Sequence, residues 1–168
     1  MHNIILASNA FTDVASFRTW DLQFRVTDAR YANYQGERRV GICADTARAT
    51  SCSGPRTDAH GLLKWPHEAD AIFIFSRPAS RIEIIDPAFS EALQIDQGRQ
   101  FVAAIDAGVL ILAKLGFLDG LLAKTYPSVF GEVKKMAFEL IGARSSTTTR
   151  SRPATDVCRP LIWQFGSC

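Results

Sequence analysis

Asp106 stands where an uninterrupted apolar run, Phe101 to Ile105, breaks into the small polar turn Asp106-Ala107-Gly108. A second apolar run, Val109 to Leu115, follows at once. The first run suits a parallel strand covered on both faces. The second predicts a helix, and Gly116 stops it where the chain needs positive φ. A carboxylate at the apex of a strand, an abrupt turn and a helix could do chemistry. In open α/β sheets, ligands bind at strand carboxyl ends, beside helix N-termini. The plainest role for Asp106 is an N-cap that accepts the unpaired N–H groups of the helix, its charge favoured by the dipole. The alternative is a general base or nucleophile assisted by Asp13, Arg77 or Tyr126. That role needs a pocket and a tuned pKa, and the dipole pushes the other way.

Other chemistry-bearing residues offer weaker patterns. Arg77 and Arg81 follow a predicted strand end and could pair with Asp106 or hold an anion, although solvated surface arginines would look the same. His60 and His67 lie in predicted loops without a carboxylate or cysteine pattern around them, and no metal is expected. Cys43, Cys52, Cys158 and Cys168 show no Cys-x-x-Cys spacing, which argues against zinc. Cys43 reads as a small buried hydrophobe, and Cys52 and Cys158 as thiols in polar loops. Trp20, Trp65 and Trp163 read as packing or interface residues, and Tyr126 as a pocket wall. No cofactor is implied.

The elements that would position these residues alternate between strand and helix. Asn3 to Ser8 reads as the first buried strand, and Val14 to about Ala32 as a helix with an irregularity near Trp20-Asp21. Thr12 or Asp13 could cap that helix. Arg38 to Ala44 is the second strand, Thr46 to His60 a loop or short hairpin, and Ala71 to Phe75 the third strand. Pro87 to Gln97 predicts an amphipathic helix with Pro87 in its first turn, closed by Gly98. Leu121 to Thr125 reads as a short strand, Tyr126-Pro127 as a turn, and Phe130 to Ile141 as a helix. Such alternation predicts an α/β fold with a parallel sheet.

The chain has 168 residues, close to the roughly 150 expected of one domain. Apolar content of 47% and charged content of 21% are ordinary for a globular protein. A net charge of +2, without Lys/Arg blocks interleaved with aromatics, gives no reason to expect nucleic acid. No stretch is long enough to span a bilayer. The start, Met-His-Asn-Ile-Ile-Leu-Ala, lacks a basic leader, so a cytoplasmic protein with reduced thiols is the expectation.

The segment from Ala104 to Gly120 resembles the nucleophile elbow of the ThiJ/PfpI family. The family pattern is an apolar strand, Ala-Ile-Cys, a small residue, Gly, an apolar helix and Gly-Leu-Leu-Asp-Gly. Here Ala104-Ile105-Asp106-Ala107-Gly108 and Gly116-Phe117-Leu118-Asp119-Gly120 match it, with Asp106 at the cysteine. Ser51-Cys52-Ser53-Gly54 and Asp70-Ala71 resemble further family features. The resemblance covers about Asn3 to Ala143. It implies a flavodoxin-like three-layer sandwich with a mostly parallel central sheet, of the class I glutamine amidotransferase-like kind, and a homodimer.

The same resemblance shows where the family's chemistry is missing. The family acid should fall near Asp13-Val14-Ala15, and the best register puts Val14 or Ala15 there. Ala107 and Tyr126 occupy its histidine positions, and Ser76-Arg77-Pro78 replaces the Gly-Gly that would hold an oxyanion. Pro78 offers no N–H. These departures argue against cysteine-dependent activity and for a pseudoenzyme that binds a small ligand or partner. The ligand positions would be Ser76, Arg77, Ala107 and Gly108, with Asp106 imitating the oxidised sulfinate of the family's cysteine. The alternative is a hydrolase, or a glyoxalase- or amidotransferase-like enzyme, using Asp106 with Asp13 and Tyr126. A regulator's ligand-sensing half is a third reading, against which the missing helix-turn-helix pattern and the chain length count.

From Arg144 the texture changes. Residues 144–168 lack a period and read as a divergent, poorly ordered tail after a domain of residues 1–143. A shift of reading frame after Arg144 would account for it, because Ser-Ser-Thr-Thr-Thr can be recoded one base over as Val-Val-Asp-Asp-Asp.

Overall fold

A parallel five-stranded sheet organises the chain. The computed structural model describes residues 1–28, 30, 39–75, 86–96, 98–118 and 129–136. Its sheet strands are β1 (His2–Leu6), β2 (Arg39–Ala44), β5 (Gly61–Leu62), β6 (Ala71–Ile74) and β7 (Phe101–Ala104), in the order β5-β2-β1-β6-β7. Every pairing in this sheet is parallel. The apolar runs are strands because both faces are covered: Ile4, Ile5, Leu6, Ile72, Ile74, Val102 and Ala104 are buried.

Each face has its own core. Ile4, Leu6, Cys43, Ile72, Ile74, Val102 and Ala104 pack under α2 (Pro87–Ala92), α3 (Val109–Lys114) and α4 (Phe130–Lys135). Ile5, Ala7, Ile42, Ala44 and Phe75 face the other way, toward Phe11, Ala15 and Trp20 on and beside α1 (Asp13–Thr27). Thr46 to His60 forms an antiparallel hairpin of β3 (Arg48–Thr50) and β4 (Arg56–Asp58), with Arg48 paired to Asp58 at 2.7 Å.

Several boundaries differ from the expectations. α1 runs unbroken through Trp20-Asp21 to Thr27, helped by an Asp21–Arg25 pair at 2.8 Å. Thr12 takes its N-cap position without a side-chain capping bond. α2 stops at Ala92 rather than Gln97, because Asp96 and Gln100 bind each other: the Asp96 N–H donates to Gln100 Oε1 at 2.7 Å. Asp86 caps α2 through the Ala88 N–H at 2.9 Å. The strand Gly61–Leu62 was not anticipated, since two residues are too few to show a period.

Gly116 does end α3, at φ 76°. The Gly116 N–H reaches Ala113 O at 3.1 Å and the Phe117 N–H reaches Leu112 O at 2.9 Å, a Schellman motif. Cys43 is buried, as expected of a small hydrophobe. The predicted strand 121–125, the Tyr126-Pro127 turn, the end of the helix expected to reach Ile141, and the tail from 144 lie outside the described residues.

Candidate functional site at the carboxyl edge of the sheet

Parallel strands bring all carboxyl ends to one edge. Because β1 connects to β2 on one side while β6 lies on its other side, the strand order reverses at the β1–β6 boundary. In open α/β sheets such a reversal is where ligands bind, outside the carboxyl ends of the strands. Asp106 follows β7, next to β6, and sits at this edge.

The elbow is sharp. Ile105 is extended, at φ −125°, and its N–H bonds Ile74 O at 3.0 Å as the last rung of the sheet. Asp106 then takes φ 55°, a left-handed conformation that costs a side-chain-bearing residue about 1–2 kcal/mol. Residues 106–108 make one 3-10 turn, closed by the Gly108 N–H to Ile105 O at 3.1 Å. The turn lies directly on β6: a Cβ on Gly108 would fall 2.6 Å from Ile74 O. Gly108 is therefore required by close approach, since its own φ of −59° is ordinary. Ala107 is buried beneath the turn.

This geometry changes the reading of Asp106 as a cap. The residue at the N-cap of α3 is Gly108, and no side-chain oxygen caps that helix. With φ positive, Asp106 opens the 3-10 turn, two residues before the cap position. Among the described residues its Oδ1 is buried without a hydrogen-bond partner. An unsatisfied buried polar atom costs about 1–3 kcal/mol, more if charged. Strain and an orphan acceptor thus coincide on one residue, the pairing that marks functional sites.

Asp13, in the first turn of α1, is bound to the hairpin loop. Cys52 Sγ donates to Asp13 Oδ2 at 3.3 Å. Hydrogen bonding from Ser51, with smaller help from Cys52 and Ser53, holds its carboxyl below the ordinary value. Backbone bonds from Ala10 N to Thr50 O (2.7 Å) and Cys52 N to Phe11 O (2.9 Å) tie the two loops together. Ala10 is the other non-glycine residue with positive φ, 61°, among those described, and it lies at the same edge after β1. At the positions where the resemblance puts the family acid, Val14 faces solvent and Ala15 packs against the core.

Two residues went unnoticed in the sequence. Ser8, after β1, and Ser16, in α1, are buried with hydroxyls that have no partner among the described residues. A serine at a strand end or within a helix gives no sequence signal of that state. Ser76, Arg77, Arg81 and Tyr126 lie outside the described residues. His60 accepts the Ile42 N–H at Nδ1 (3.2 Å) and stacks on Trp20, so it is a packing residue at the other edge. Among the described residues no group of three or more His, Cys, Asp and Glu could hold a metal ion, and no helix is long and apolar enough to cross a membrane.

No family profile and no curated protein match the chain at significance. Solved structures do. DJ-1 from Schizosaccharomyces pombe superposes with a TM-score of 0.69 at 11% identity, covering 98% of this chain and 84% of that one. Drosophila melanogaster DJ-1beta gives 0.70 at 11%, covering 98% and 81%. A ThiJ/PfpI domain protein from Brachyspira murdochii gives 0.66 at 15%, covering 97% and 85%. Together with the parallel sheet and the elbow at residue 106, these likenesses show that the chain has the flavodoxin-like α/β fold of the DJ-1/ThiJ/PfpI proteins, in a sequence far diverged from theirs.

Proposed function

We propose that this protein is a DJ-1/ThiJ/PfpI-like pseudoenzyme that binds a small ligand at the carboxyl edge of its sheet, with Asp106 as the anchoring group. One observation carries the reading: a left-handed elbow residue whose carboxylate oxygen is buried and has no partner among the described residues. A ligand presenting an N–H or O–H donor would satisfy that oxygen. The elbow holds no thiol. The described cysteines are the buried Cys43 and the exposed Cys52, which is bonded to Asp13. Ser76, Arg77, Ala107 and Gly108 are the proposed ligand positions, as the family resemblance implies. A cytoplasmic homodimer accompanies this reading. It is supported by the apolar residues α1 leaves in solvent, Val14 at 74% and Leu22 at 50% exposure.

The second reading, a hydrolase or glyoxalase-like enzyme using Asp106 with Asp13 and Tyr126, is favoured by the same strained φ, which suits a presented nucleophile. Against acyl or aldehyde carbons a carboxylate is much weaker than a thiolate. Turnover of methylglyoxal, isonitriles and peptides by wild type, Asp106→Ala and Asp106→Cys separates the two. Binding without turnover is expected of the wild type. Wild-type turnover abolished in Asp106→Ala overturns the pseudoenzyme.

A further inference from the structure

We draw no further inference here: the strongest candidate, the pair of buried serines, Ser8 at the carboxyl end of β1 and Ser16 in α1, whose hydroxyls have no partner among the described residues, belongs to the carboxyl-edge site already described.

Discussion

Replacing Asp106 with glycine should make the protein more stable. Two costs disappear. A left-handed backbone at a residue with a Cβ is worth about 1–2 kcal/mol, and the orphan Oδ1 about 1–3 kcal/mol. Against them stands the extra freedom of an unfolded glycine, about 0.5–1 kcal/mol. Asp tolerates this conformation better than most residues, so the lower part of each range applies. The expected net gain is about 1–2 kcal/mol. For a chain of 168 residues that raises Tm by about 3–6 °C. Thermal melts and urea titrations of wild type, Asp106→Gly and Asp106→Ala measure it. Alanine removes the orphan but keeps the Cβ in the strained conformation, so it should fall about 1 kcal/mol below glycine. A glycine variant that melts below wild type refutes the reasoning, because the carboxylate would then be holding the fold together. Stability gained with ligand binding lost is the trade-off expected of a site residue.

Further outcomes are expected elsewhere. Gly108→Ala places a methyl 2.6 Å from Ile74 O and should cost about 1–3 kcal/mol in a urea titration, by forcing the elbow off β6. The buried Gln100 donates to Ala69 O at 2.7 Å and to Pro66 O while accepting the Asp96 N–H, so Gln100→Leu should lose about 3 kcal/mol. Asp13 has its folded pKa lowered from 3.8, chiefly by Ser51. A depressed carboxyl contributes stability that is present above the unfolded value and lost as pH falls through the folded one. Stability measured from pH 5 downward should therefore fall less steeply in Ser51→Ala. For His2 the sign is the same but the cause is different. Burial lowers its pKa from 6.5, so the unfolded chain takes the proton more readily and stability should fall as pH drops below 6.5, a slope that His2→Gln removes.

What the sequence determined by itself was four of the five parallel strands, β1, β2, β6 and β7, and the break at residue 106. Short apolar runs bounded by polar turns read as strands buried on both faces, and Phe101 to Gly116 carries the strand, the turn, the helix and its glycine stop within a local stretch. Composition marked 46–60 as a loop or short hairpin, and it is a hairpin. What tertiary structure decided was the state of the polar groups. Whether Asp106 caps a helix or stays unpaired depends on where β6 stands, because Gly108 packs on Ile74 and moves the cap position two residues on. That Asp13 accepts from Cys52, and that Trp65 rests on Gly41 and Gly61, are matches between segments far apart in the chain. Periodicity records which residues avoid water, whereas hydrogen-bond partners are chosen by the packing of distant elements, and that choice is made only when the sheet closes.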